Sequence, residues 1–315
     1  MQEKQTSLLT NGVILSLLAT LCCLLWGSAF PCVKIGYHLF AISSGDSASQ
    51  ILFAGCRFAG SGILTILFGS IRAKKFLRPH KEGSFRRILM LSLFQTVLQY
   101  VLFYLGLART SGVKSSIIEG ANVFVTILVA CLIFRQEALT WQKILGCILG
   151  FSGVVLANFN HSLLTLQFSF WGEGLLFLST VAYAFSSVLI KRFAKHDNPL
   201  MLSGYQFFFG GLFLIILGFS MGGTLTRITF PGILILLYLA LLSAIAYSLW
   251  ALLLKYNPVS KVAIWGSVTP IFGVILSVFS LQEEQQVVGL QIIIALLLVC
   301  FGIYVVNRAK QPATR

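Results

Sequence analysis

Apolar residues run along this chain in ten long stretches separated by short polar breaks, at 13–36, 51–70, 88–107, 112–134, 140–159, 171–191, 201–221, 231–254, 259–280 and 287–307. A bilayer core of about 30 Å takes roughly 20 apolar residues of helix, so each stretch is predicted to cross a membrane. Most breaks are under about 15 residues, too short for a folded soluble domain. Lipid offers no water to backbone groups, so spanning segments are helices or a closed barrel, and unbroken apolar runs of this length select helices. The predicted fold is an all-α integral membrane protein with ten transmembrane helices.

The stretches divide into two sets of five. Leu24-Leu25-Trp26-Gly27-Ser28 of the first span aligns with Val181-Ala182-Tyr183-Ala184-Phe185 of the sixth, and Lys34 with Lys191, at a constant offset of 157. Gly55-Cys56-Arg57-Phe58 of the second span lies over Gly204-Tyr205-Gln206-Phe207 of the seventh. The fourth and ninth match at Val123-Phe124 and Ile271-Phe272, and each reaches an acidic residue, Glu137 or Glu283, soon after its end. Because five is odd, a tandem copy enters the membrane upside down, the inverted-repeat arrangement of many secondary transporters. Two inverted five-helix repeats, residues 1–160 and 161–315, are therefore expected. Their shared site would lie near the bilayer midplane and be exposed to each side in turn.

Composition agrees with burial in lipid: 57% hydrophobic and 10% charged residues with mean hydropathy +0.90, against about 25% charged in soluble domains. The first span is longer than a signal-peptide core and lacks an Ala-x-Ala cleavage pattern, so it is expected to persist as a helix. The net charge of +14 could suggest nucleic acid, but its placement argues otherwise. With a cytoplasmic N-terminus, 18 Lys and Arg fall inside and only Lys34, Arg109, Lys114 and Arg227 outside, with Arg57 within a span. This bias predicts a multi-pass protein of the cytoplasmic membrane with both termini in the cytoplasm and no nucleic-acid partner. The basic 72–87 segment is a topology signal that could also touch anionic headgroups.

The seven cysteines lie in apolar spans and form no C-x-x-C pair, and His38, His80, His161 and His196 fall in predicted loops. Neither a disulfide framework, a metal site nor a cofactor is expected.

Ionisable residues within spans are costly and mark functional candidates. Arg57 stands six residues into the second span and Glu119 seven into the fourth, at matching depth of about 10 Å. Three readings follow: a structural Arg57–Glu119 bridge, a substrate carboxylate on Arg57, or a proton carried by Glu119. Ser115, Asn122 and Thr126 continue a polar face around Glu119; Ser92, Gln95 and Gln99 form one on the third span, and Ser243, Tyr247 and Trp250 on the eighth. Such stripes line a cavity or bond helix to helix. Trp26, Tyr100, Tyr183, Tyr205, Trp250 and Trp265 could stack on cargo, whereas Trp141, Trp171 and Tyr256 read as interface anchors. Gln206, aligned with Arg57, and Thr269, beside Trp265, complete the candidate set with Trp26, Arg57, Gln95, Gln99, Tyr100, Glu119, Asn122, Tyr183, Tyr247, Trp250 and Trp265. Pro31 and Pro270 are expected to bend their helices. Gly146 and Gly150 make a close-approach face that packs within the monomer or forms a homodimer.

Leu25-Trp26-Gly27-Ser28-Ala29-Phe30, Cys56-Arg57-Phe58-Ala59, Ala108-Arg109-Thr110-Ser111-Gly112-Val113, Glu137-Ala138-Leu139-Thr140 and Gly150-Phe151-Ser152-Gly153-Val154-Val155-Leu156 recur in order, followed by Pro258-Val259-Ser260-Lys261-Val262-Ala263 and Thr269-Pro270-Ile271-Phe272. Together they resemble the EamA-type family of the drug/metabolite transporter superfamily across nearly the whole chain. Glu119-Gly120-Ala121-Asn122-Val123 replaces a proline common in that family's fourth helix. The resemblance implies a secondary carrier exporting small metabolites, amino acids or related compounds, or else a multidrug or cationic-compound exporter. A channel or lipid scramblase is the alternative of another class. An intramembrane enzyme is disfavoured, since no span contains aspartate or histidine, and no G-x-x-x-x-G-K-[ST] signature appears.

Overall fold

The computed structural model describes residues 8–107, 109, 115, 118–157, 169–281 and 289–309. Ten helical segments occupy the ten expected places: α1 Gly12–Leu39, α2 Ser47–Ala73, α3 Ser84–Leu107, α4 Ile118–Ile133, α5 Trp141–Ala157, α6 Phe170–Phe193, α7 Pro199–Ser220, α8 Phe230–Tyr256, α9 259–281 and α10 Gly289–Arg308. No strand occurs among the described residues. Six helices, α1 to α3 and α6 to α8, are each long and apolar enough to cross a membrane; the described parts of α4, α5 and α10 are shorter apolar helices. The junction between the two halves at 160/161 lies outside the described residues, as do His161, Glu283 and most of Ala108 to Lys114.

Several helices outrun their apolar cores because polar caps take up the first free N–H groups. Asn11 accepts from Val13 N at 2.9 Å, Asp46 from Ser49 N at 3.0 Å and Asn198 from Leu200 N at 2.9 Å, each just before its helix. His38 accordingly falls in the exposed last turn of α1 rather than in a loop, because α1 extends three residues past its apolar run. Four stretches depart from α geometry: π-helical Ser92–Leu98, Val129–Ile133 and Phe170–Gly174, and a 3-10 turn at Ile264–Val268. Pro270 opens the α-helical turn after that 3-10 segment, where its missing N–H costs least. α1 runs helical through Pro31.

The packing has a regular pattern. α2 lies against α7, α5 against α10, α1 against α8 and α9, and α6 against α3 and α4. Moving every helix on by five returns α2–α7 and α5–α10 to themselves and exchanges α1–α8 with α6–α3 and α1–α9 with α6–α4. In the α2–α7 seam a Cβ on Gly62 would meet Phe208 N at 2.4 Å, one on Gly211 Ala59 N at 2.3 Å, and one on Gly218 Leu52 N at 2.7 Å. Gly55 and Gly62 align with Gly204 and Gly211 at one offset (204 − 55 = 211 − 62 = 149), so both helices bring the same glycine strip to the seam. Only residues without a Cβ allow two backbones to approach this closely.

The close-approach face of α5 is occupied in the same way. A Cβ on Gly146 would meet Gly302 O at 2.7 Å and Val306 Cγ2 at 2.3 Å of α10. Packing within the monomer, one of the two readings of Gly146 and Gly150, therefore occupies this face with α10.

Contacts among the connecting segments sort the chain's ends. Asn257 Nδ2 donates to Leu9 O at 3.0 Å, Lys81 Nζ donates to His196 O, and the start of α5 lies beside the end of α10. The first and last described residues thus share one face of the bundle with the 74–83, 135–140 and 194–198 segments.

Candidate functional site

Aromatic rings from six helices meet in the bundle. Trp26 of α1 packs edge-on against Tyr247 at 5.1 Å and Trp250 at 4.9 Å, both on α8. Phe58 of α2 stacks on Phe207 of α7 at 5.3 Å and contacts Tyr100 of α3 at 4.4 Å, and Phe207 meets Tyr247 at 4.8 Å. The Tyr100 and Tyr247 hydroxyls lie 2.9 Å apart. Tyr183 of α6 packs on the same cluster. Each ring presents an apolar face, and the tyrosines and tryptophans add a polar atom at its edge.

Arg57 lies beside this wall at 5% exposure. Its Nε donates to Ser243 Oγ at 2.9 Å, and its guanidinium carbon stands 5.1 Å from the Phe58 ring centre. Ser243 passes its own proton to Leu239 O at 2.8 Å, which turns the hydroxyl oxygen toward the arginine. Among the described residues no carboxylate comes within ion-pair distance of Arg57, and its terminal nitrogens make no hydrogen bond.

Glu119 of α4 has a different neighbour. Ser179 Oγ of α6 lies 3.1 Å from Glu119 Oε1 and 2.8 Å from Leu176 O. One hydroxyl proton cannot serve two acceptors. The arrangement closes fully when the carboxyl carries a proton and donates it to Ser179, or when another donor reaches the carboxylate. The anticipated Arg57–Glu119 bridge is therefore absent: each group is held by a serine of another helix.

The remaining candidates divide. Gln206 is fully buried and joins helices: Thr96 Oγ1 donates to its Oε1 at 2.8 Å, and Ser92 Oγ donates to its main-chain oxygen at 2.9 Å. Ser92 and Gln206 thus weld α3 to α7. Asn122 Oδ1 accepts from Thr126 at 3.1 Å within α4. Gln206 Nε2 itself, like Trp26 Nε1, Gln95 Oε1, Gln99 Oε1, Trp265 Nε1 and Thr269 Oγ1, is a buried polar atom without a partner among the described residues. Native structures keep few such atoms, and water or a bound molecule ordinarily meets them.

The chemistry available is thus a guanidinium beside a packed aromatic cluster, a carboxyl held by a serine of α6, and scattered single donors and acceptors. A model of the EamA-like transporter family matches residues 12–159 and again residues 170–308. The chain belongs to the EamA-like transporter family. Relatives of this EamA-like protein include an uncharacterized transporter of Archaeoglobus fulgidus, 27% identical over 90% of this chain and 95% of that one. Another is the uncharacterized transporter YyaM of Bacillus subtilis, 28% identical over 64% of this chain and 68% of its own. A solved crystal structure shares the fold at TM-score 0.73 and 15% identity, covering 92% of this chain and 95% of its own.

One polar centre of the EamA-like chain was not anticipated as a unit. Glu137, in the α4–α5 connection, accepts from Lys143 Nζ at 2.9 Å and from the Ser260 hydroxyl, and lies 3.9 Å from Lys191 Nζ. Lys143 also donates to Ala138 O at 2.7 Å, and Lys191 to Asn257 O at 2.6 Å. Burial alone would raise the Glu137 pKa, but the Ser260 hydroxyl and the Lys143 and Lys191 charges outweigh it and hold the carboxyl below its usual range. In the sequence, these lysines look like topology charges and Ser260 like an ordinary helix-start serine. A lysine six residues after an isolated Glu is a weak signal for the pair.

Proposed function

We propose that this protein is a secondary transporter that exports small zwitterionic metabolites, amino acids or close relatives, across the cytoplasmic membrane by alternating access between its two halves. The observation that carries this reading is a pair of opposite charges within the spans, Arg57 and Glu119, each held by a serine of another helix rather than by the other. An arginine buried in a membrane without a counter-ion is costly, and its fork suits a carboxylate bidentately. A zwitterion brings that carboxylate to Arg57 and an ammonium to Glu119. Trp26, Tyr100, Tyr183, Tyr247 and Trp250 would enclose the carbon skeleton, and the unpartnered atoms of Gln95, Gln99, Trp265 and Thr269 would meet polar side groups.

Coupling follows from the same geometry. Glu119 can hold a proton against Ser179 or an ammonium, but not both, so cargo and proton exclude each other and exchange across the membrane. The pseudo-symmetric helix pairing supports two halves rocking about the α2–α7 and α5–α10 seams. The excess of cations in the 74–83, 135–143 and 191–195 segments supports a cytoplasmic position for that face and for both termini. On it, the Glu137 network joins α5 of the first half to α6 and α9 of the second, a clasp that must open for cargo to enter from that side.

Counterflow in proteoliposomes with amino acids, nucleosides and cationic dyes tests the reading. Accumulation of labelled amino acids, inhibited by other zwitterions and not by dyes, is expected. Dye movement without amino-acid movement would favour a cationic-compound exporter, which the buried Arg57 argues against.

A further inference from the structure

A second cavity of about 580 Å³ opens between α3 and α6, closed at one end by Phe134 of α4. Its lining changes with depth. Gly83, Arg86 and Arg87 on α3 and Arg192 and His196 at the end of α6 form the mouth. Met90, Phe94, Phe134, Phe185 and Leu189 form the floor, with Phe94 stacked on Phe185 at 5.6 Å and Phe134 edge-on to Phe185 at 5.7 Å. From Arg86 to Phe94 the floor descends about 12 Å along the helix.

The charges at the mouth are not equivalent. Asp197 neutralises Arg87 at 2.5 Å and accepts from Ser84 at 2.6 Å, and Lys81 is tied to the His196 main chain. Arg86 and Arg192 are exposed and have no carboxylate partner among the described residues. Glu82 is the other acid in this connection. The first turn of α3 lacks a side-chain cap, since Gly83 stands at its N-cap, so main-chain N–H groups there add to the positive field.

The groove lies on the outer side of the bundle. Leu178, two turns from Phe185 on the same side of α6, is 41% exposed, whereas Tyr183 of the aromatic cluster, two residues from Phe185, points to the opposite side. A basic mouth at the membrane surface above an aromatic floor at acyl-chain depth matches one kind of molecule. We propose that the groove binds an anionic phospholipid, its phosphate between Arg86 and Arg192 and one acyl chain over Phe94, Phe134 and Phe185. Because α6 also carries Ser179, lipid seated here would bear on the helix that holds Glu119.

The test uses the full-length protein purified with phosphatidylglycerol or phosphatidylcholine of identical chains, with retained lipid counted by native mass spectrometry. Selective retention of phosphatidylglycerol is expected, weakened about fivefold by Arg86→Ala or by Arg192→Ala. Met90→Trp, which fills the floor, should abolish retention while leaving both arginines. A photoreactive phosphatidylglycerol should label the 86–94 and 185–193 segments of the wild-type chain, a readout that needs no variant. Equal retention of the two lipids, labelling elsewhere, or displacement by inorganic phosphate at the strength of phosphatidylglycerol would overturn the proposal, the last by making this a free-anion site. Lipid retention unchanged in Met90→Trp with transport lost would reassign the groove to cargo entry.

Discussion

Arg57 gives one of its five N–H donors to Ser243 and no other to a described acceptor. Glu119, by contrast, shares a single hydroxyl proton with a main-chain oxygen. In the proposed function these two positions carry the chemistry, and both were legible in the sequence because a charge inside an apolar run stands out whatever the fold. Their partners were not. Ser243 and Ser179 lie 186 and 60 residues away, and a membrane serine ordinarily bonds its own preceding turn, so nothing local marks the two that reach across. Equal depth suggested a bridge, yet depth fixes only one coordinate, and the serines occupy the directions a bridge would need. If Glu119 is the exchange group, Glu119→Gln in proteoliposomes should still bind cargo but lose the pH dependence of transport, because an amide cannot take up or release the proton. A wild-type pH profile in that variant would remove Glu119 from the coupling.

At the scale of elements, span length and apolarity made ten helices readable, and capping residues explain where they run past their apolar cores. The π-helical and 3-10 segments left no such mark, because inserting or removing one residue per turn does not change a continuous apolar pattern. The glycine seam makes a sharp prediction. Gly211→Ala forces a methyl to 2.3 Å from Ala59 N and should destabilise by about 1–3 kcal/mol. Gly60→Ala, whose added carbon meets only Ala240 Cβ at 3.4 Å, should leave the melting temperature nearly unchanged. The Glu137 clasp is a different kind of joint. Glu137→Gln leaves Lys143 buried without its counter-ion and should cost about 3–5 kcal/mol, part of which Lys143→Met in the same chain restores. Because the folded Glu137 pKa is depressed, its contribution is complete above the ordinary glutamate value of about 4.3 and is lost as pH falls through the lower folded value. Thermal melts of wild type should therefore decline in that acid window, and Glu137→Gln should decline less.

For the whole molecule, the α2–α7 and α5–α10 seams each map onto themselves when every helix is advanced by five, and the opposite charges stand on α2 and α4. The internal alignment anticipated this pairing; the outer lipid-facing groove and the clasp emerged only from the three-dimensional arrangement, since each assembles residues more than 90 positions apart. In the proposed alternating-access cycle the clasp closes one face, and the other state would have Glu137 and Ser260 apart. The account stands on recognition of a carboxylate by Arg57, and one measurement reaches that point directly: counterflow of a labelled amino acid and of the matching amine without its carboxylate, in wild type and Arg57→Ala. Wild type should move the amino acid, and Arg57→Ala should lose its transport at least about tenfold while its handling of the amine stays unchanged. Wild-type transport of the amino acid by Arg57→Ala would contradict the account.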